Sequence, residues 1–104
     1  MSRWTPIAPW RPIAGTGVAK ALTSGADADT GLTIPGGCHA VQLSAVGGNC
    51  CVTISAAGTA ASATGDALIK VTDGPLVLGC EPGDHVHAWG LATGVTLFAL
   101  PVTH

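Results

Sequence analysis

Residues 38–55 read CHAVQLSAVGGNCCVTIS, and the period of this stretch decides the fold. From Cys38 to Ala45 apolar and polar residues alternate, with Val41, Leu43 and Ala45 on one face and Gln42 and Ser44 on the other. Two residues is the repeat of a half-buried β-strand. Gly47-Gly48-Asn49 is a strong turn signal, and the alternation resumes from Cys50 to Ser55, where Cys50, Val52 and Ile54 oppose Cys51, Thr53 and Ser55. The two runs are expected to pair as a β-hairpin across that turn.

The same rhythm continues toward the C-terminus. Strands are expected at Ala67 to Thr72, Leu76 to Cys80, His85 to Trp89 and Val95 to Pro101. They are separated by Asp73-Gly74-Pro75, by Glu81-Pro82-Gly83-Asp84 and by Gly90 to Gly94, in which proline presets φ and glycine supplies a positive φ. Trp89 is expected in the core. Residues 56–66 (AAGTAASATGD) have no period and read as a surface loop. Upstream, Val18 to Thr23 and Leu32 to Ile34 are weaker strand candidates around a turn-rich link, Ala26 to Gly31. Turn signals every 8 to 12 residues or so, with no 3.6-residue period anywhere, predict an all-β chain. The expected fold is a small antiparallel β-sandwich, jelly-roll-like, of about six to eight strands. Residues 37–104 form its body, and residues 1–36 an extended N-terminal arm with the first short strand or strands.

The arm differs from the body in composition. Trp4 to Pro12 (WTPIAPWRP) holds three prolines and two indoles. Proline removes a backbone donor and fixes φ, so this piece is neither a helix nor a central strand. Two indoles on an extended arm have no local partner to bury them. Tryptophan is strongly enriched among interface anchors. The partner-binding set read from the sequence is therefore Arg3, Trp4, Ile7, Trp10, Arg11 and Ile13.

Only 10% of the 104 residues are charged, against about 25% in ordinary soluble domains. A surface so poor in charge is unusual for a chain that must remain dispersed alone. Arg3, Arg11 and Lys20 fall in the first 20 residues with no acid among them, whereas the rest sets Lys70 against Asp27, Asp29, Asp66, Asp73, Glu81 and Asp84. Three basic residues are too few for a phosphate-tracking surface, so no nucleic-acid partner is expected. They suit an acidic protein surface better. No run of about 18 apolar residues suggests a membrane helix, and no apolar leader follows the basic start. The expectation is synthesis in a cytoplasm with no membrane partner.

Chemistry-bearing constellations are sparse. Cys38, Cys50, Cys51 and Cys80 lack the short two-cysteine spacing that preorganises a zinc site. Three states stay open for them: buried free thiols, read first; a disulfide, with Cys38 and Cys50 on the two strands of the hairpin as the candidate pair; and a metal site, read last. His85 and His87 share a strand face, and a third ligand would have to come from Cys38, His39 or Cys80, but the plainer reading is two histidines flanking Trp89. Asp84 beside His85 makes no dyad, since neighbouring strand residues point apart. No nucleophile elbow or phosphate-binding glycine loop is present. The chain is read as not an enzyme, with no cofactor and no metal.

With strands and turns placed, residues 37–103 resemble the small virion proteins of tailed bacteriophages: capsid decoration (cement) proteins and related head accessory proteins. The resembling elements are the strand HAVQLSA, its successor NCCVTISA, the small-residue loop AGTAASATGD, the turn and strand EPGDHVHAWG, and the closing GVTLFALPVT. The resemblance implies a structural protein that binds the major capsid protein and stabilises the shell. It implies a place on the virion surface after assembly in the host cytoplasm. It also suits a homo-oligomer, a trimer before a dimer, because a sandwich has strand edges to satisfy. A head-to-tail joining or tail component is the alternative, and a carbohydrate- or receptor-binding module the second.

Overall fold

A computed structural model describes residues 11–64, 67–72 and 74–103. These residues are all-β, with no helix. Nine strands run in chain order: β1 (Arg11–Pro12), β2 (Val18–Ala21), β3 (Asp27–Thr33), β4 (Ala40–Val46), β5 (Cys50–Ser55), β6 (Ala67–Ile69), β7 (Leu76–Gly79), β8 (His85–Gly90) and β9 (Thr96–Thr103). They form two antiparallel sheets. In the first, sheet A, the order is β1-β9-β4-β7, with β2 also pairing β9 beside β1. In the second, sheet B, the order is β3-β8-β5-β6. The sheets pack face to face as a sandwich.

The alternation read from the sequence decides which side chains meet between the sheets. Val41 and Leu43 of β4, Leu97 and Ala99 of β9, Cys50 and Val52 of β5, and Val86 and Ala88 of β8 are all buried in one cluster. Leu43, Leu97, Val41 and Val86 are 0% exposed. Burying such a side chain stabilises the fold by about 1.5–3 kcal/mol, so a one-residue slip in any of these strands would turn its whole apolar set toward water.

The hairpin expected across Gly47-Gly48-Asn49 does not form. β4 pairs with β7 and β9 in sheet A, whereas β5 pairs with β6 and β8 in sheet B. The glycines carry the chain from one sheet to the other instead. Gly47 has φ +86, and a Cβ there would stand 2.3 Å from the carbonyl oxygen of Gly94. This corner therefore requires glycine for space as well as for φ. The hairpin sits one strand later, at β5 and β6, joined by residues 56–66. Alternation fixes which face a strand buries and says nothing about which sheet takes it.

The early residues belong to the sandwich. β2 pairs β9 from Val18↔Ala99 to Ala21↔Thr96, and β3 pairs β8. Leu22, Leu32 and Ile34 are core residues and Ile13 packs against the core. Residues 11–36 thus supply strands to both sheets. The link read at Ala26 to Gly31 is most of β3. Its turn-like composition serves an irregularity between Asp29 and Thr33. There Gly31 has φ +78, Asp29 Oδ1 accepts the Gly31 N–H at 2.9 Å, and the buried Thr30 hydroxyl donates to the Val86 carbonyl at 2.7 Å.

Candidate functional site

The two outer faces of the sandwich differ in kind. On sheet B, cross-strand partners place Asp27 beside Trp89 and Asp29 beside His87, with Thr53 and Ser55 on the other flank of β8 opposite His87 and His85. This face is polar and titratable. Trp89 lies on it, half-buried, rather than in the core, because Val86 and Ala88 take the inward positions of β8.

Part of that face is roofed. The connection after β5 folds back over it and is held by one carboxylate. Asp27 Oδ1 accepts the Ala61 N–H at 2.8 Å, and both Asp27 oxygens stand 3.1 Å from His87 Nδ1. Asp29 Oδ2 is 4.0 Å from His87 Nε2. Ser55 Oγ accepts the Thr59 N–H at 2.8 Å, and the Cys51 thiol donates to the Ala63 carbonyl at 3.4 Å. Ala61, Cys51 and Thr53 are buried as a result. The loop read as a plain surface connection is a lid tied to the sheet. The Asp27–His87 pair escaped the sequence reading because its partners lie on different strands. The signal was present as two alternations, Asp27-x-Asp29 and His85-x-His87.

This arrangement holds the His87 imidazole against two carboxylates. His85 Nδ1 is 3.3 Å from the Thr33 hydroxyl. Among the described residues no group of three or more His, Cys, Asp or Glu side chains converges as a metal site. His39 instead stands 3.3 Å from Glu81, both exposed. The four cysteines are free and buried. Cys38 and Cys50, read as possible cross-strand partners, are not such a pair: Cys38 lies just before β4 of sheet A and Cys50 opens β5 of sheet B, and both thiols are free. The Cys38 thiol reaches the carbonyls of Ala40 and Val102 at 3.0 and 3.3 Å. Burial pushes the Cys50 thiol up to about 11, with Cys51 adding to the shift. It pushes Cys80 up to about 12, with Cys38, Asp84 and Glu81 adding. Neutral, buried thiols are poor nucleophiles and poor metal ligands.

Sheet A presents the opposite character. Its outward positions form rows across the strands: Pro12–Val102–Ala40–Gly79, Leu100–Gln42–Val77, Ala19–Phe98–Ser44 and Ala21–Thr96–Val46. No ionisable side chain stands in these rows. Phe98 is 46% exposed and Val46 54%. Around Phe98 the face opens as a groove of about 410 Å³, floored by β9 and β4 and walled by Gly17, Val18 and Ala19. Gln42 and Ser44 supply its polar edge. Gly17 is the tight point, since a Cβ there would come within 3.1 Å of Leu100 Cδ1.

The energetics of the two faces follow from charge. Covering a carboxylate or ammonium costs several kcal/mol unless the ion is paired well, and the rows of sheet A contain none. Covering the remaining surface of Phe98 would contribute on the order of 1 kcal/mol. These rows of sheet A can therefore be covered without desolvating an ion. Sequence reading found their alternation but not the face itself, because the rows gather residues from both ends of the chain.

The partner-binding residues read from the sequence divide. Arg3, Trp4, Ile7 and Trp10 lie outside the described residues. Arg11 is exposed in β1, paired in register with Thr103. Ile13 donates its N–H to the Pro101 carbonyl at 3.0 Å and packs, partly buried, against the core. No helix among the described residues is long and apolar enough to cross a membrane. No family model, characterised protein or solved structure matches the chain.

Proposed function

We propose that the chain is a structural virion protein of a tailed bacteriophage, a capsid decoration protein that binds the major capsid protein and stabilises the shell. The observation that carries this reading is the strand pairing. β2 pairs β9, β3 pairs β8, β4 pairs β7 and β5 pairs β6. These pairs are what one long hairpin of four strand pairs gives when rolled over on itself, which we read as a jelly roll. Jelly rolls serve viral shells, lectins and cupins. The cupin use places ligands inside the fold, and here the described interior is packed with aliphatic side chains and thiols.

Two further features support a shell component. The uncharged face of sheet A suits burial against a neighbour, and the low overall charge suits a chain whose surface is largely covered in its working state. Binding through several modest contacts raises effective affinity without any single strong one, which is what an arm adds to a face. The reading is tested by mixing the purified protein with expanded shells of the phage that encodes it and sedimenting them. A decoration protein sediments with the shells in proportion to the capsid lattice.

A head-to-tail joining component keeps the same fold and is separated by copy number, since it would bind as a single ring. The carbohydrate-binding alternative draws on Phe98 with Gln42 and Ser44, an aromatic ring beside two polar side chains on an open face. A glycan-binding screen separates it, and saturable binding of a sugar that is lost in Phe98→Ala would favour it over the shell reading.

A further inference from the structure

We propose that the loop over sheet B is an acid-released lid. The ionised Asp27 carboxylate is its latch, and protonating that carboxylate frees residues 56–64 while the sandwich stays folded, whether or not the chain serves a virion.

The latch works only as an anion. Asp27 Oδ1 accepts the Ala61 N–H at 2.8 Å, and Oδ1 and Oδ2 each stand 3.1 Å from His87 Nδ1. An ionised carboxylate only accepts, so Nδ1 carries the ring proton and donates it. Both Asp27 oxygens therefore already face donors. In acid the imidazole offers a place for one proton at Nε2, which stands 4.0 Å from Asp29 Oδ2. That proton leaves the latch intact, with an imidazolium held between two carboxylates. Both ring nitrogens are then donors, so a further proton on Asp27 finds no acceptor on the ring. On Oδ1 it would confront the Ala61 N–H, and on Oδ2 the His87 N–H. Release thus belongs to the carboxylate and not to the imidazole.

The surroundings leave this carboxylate as the acid-sensitive tie. The titratable groups beside it are Asp29 of β3, whose Oδ1 accepts the Gly31 N–H of its own strand, His85 of β8, whose Nδ1 is 3.3 Å from the Thr33 hydroxyl, and Cys51 of β5, whose thiol donates to the Ala63 carbonyl. Residues 56–64 (AAGTAASAT) contribute no ionisable side chain of their own. Asp27 is 27% exposed at its side chain and His87 13%, so solvent protons reach the latch. Little else fastens the loop. Ala61 alone among residues 56–64 is buried, and it is the residue whose N–H the latch holds. The remaining side-chain ties, Thr59 N–H to Ser55 Oγ and the Cys51 thiol to Ala63, join groups that stay neutral in acid. A segment with one buried methyl and one charged tie opens locally, at far less than the cost of unfolding the sandwich.

The test is amide hydrogen exchange on the full chain at pH 7, 5, 4 and 3, read residue by residue as protection relative to an unstructured chain at the same pH. The Ala61 N–H is expected to keep its protection from pH 7 to pH 5 and to lose about tenfold or more by pH 3. The fall should not exceed about tenfold per pH unit, the slope set by one proton. Amides of β4, which is paired on both edges, are expected to stay protected throughout and serve as the check on folding. Asp27→Asn cannot ionise, and is expected to start with a weaker lid and to show no further loss between pH 5 and pH 3. Asp29→Asn retains an acceptor for the Gly31 N–H and is expected to open in acid as the wild type does. Ala61 protection that stays level down to pH 3 would overturn the proposal, as would a fall that persists in Asp27→Asn or disappears in Asp29→Asn. Loss of Ala61 and β4 protection together would overturn it too, because the loop would then open only with the whole sandwich.

Discussion

Replacing Asp27 by alanine should unfasten the lid over sheet B while leaving the sandwich folded. The carboxylate joins three segments: it accepts the Ala61 N–H from the loop at 2.8 Å and faces His87 Nδ1 of β8 at 3.1 Å, from its own place on β3. A hydrogen bond to a charged group contributes about 1.5–3 kcal/mol. Asp27 is partly exposed, so we take about 2 kcal/mol for the bond to the loop, which is about 30-fold in the fraction of molecules with the loop open. Cys51 reports that opening, because the residue is 4% exposed and its thiol donates to the Ala63 carbonyl within the loop. Cys38, Cys50 and Cys80 lie in the inter-sheet core and are not released by it. The assay is stopped-flow labelling with a thiol reagent under native conditions, with the modified cysteine identified by peptide mass. Cys51 should react roughly 30-fold faster in the variant, and the other three thiols at their former rates. An unchanged Cys51 rate would refute the assignment of Asp27 as the tie. Equal acceleration of all four thiols would show that the loop and the core open together, which contradicts a separate lid.

Further outcomes follow from the core and its corner. Burial raises the thiols of Cys50 and Cys80 from 9.0 to about 11 and about 12. Their neutral forms therefore contribute stability that is fully present below pH 9 and is lost as pH climbs through that range toward 12. Urea midpoints should fall between pH 9 and 11 in the wild type, and fall less in Cys50→Ala and Cys80→Ala, each compared with its own value at pH 7. Gly47→Ala puts a methyl 2.3 Å from the Gly94 carbonyl oxygen at a φ of +86. The corner must shift, at a cost of about 2 kcal/mol or more, and denaturant unfolding should show it, whereas Gly36→Ala, with nothing within 4 Å of the added carbon, should leave the midpoint nearly unchanged. Thr30→Val removes the donor to the Val86 carbonyl and the acceptor for the Leu32 N–H inside the β3 irregularity. It should cost about 1–3 kcal/mol, measured in the same way.

Much of the sandwich was legible one strand at a time. The period of two in residues 40–46, 50–55 and 96–103 assigns faces without any knowledge of partners, and burial follows it through Val41–Val46 of β4 and Thr96–Pro101 of β9, whereas in β5 Cys51 and Thr53 are buried as well as Cys50 and Val52. Pairing was not legible, because local alternation has no long-range information. Gly47-Gly48-Asn49 fits a tight hairpin and a crossing between sheets equally well until the Gly94 carbonyl is placed beside it. The composition of Asp27 to Gly31 resembles a loop, since the same residues that favour turns also build the kinked strand that Thr30 and Asp29 hold. Trp89 was misassigned through its size. A large aromatic at an outward position stays half-buried on the face of the sheet when Val86 and Ala88 already fill the inward ones.

The candidate surface was less legible than the fold. Gln42 and Ser44 were recognisable as outward, and Phe98 and Leu100 as a second outward pair, but only the β4–β9 register sets them side by side. Their meeting with Ala19 and Gly17 needs β2 as well, a strand of four residues that joins β9 across most of the chain. An absence of charge spread over five strands has no motif. It emerges when the rows are assembled.

The central claim is that this sandwich is built to be covered by other subunits of a phage shell. The most direct measurement is sedimentation of the purified full chain with expanded shells of the phage that encodes it, followed by counting bound copies. The account predicts saturable binding in fixed proportion to the major capsid protein. Shells that sediment bare, with the protein left in the supernatant at saturating concentration, would contradict it.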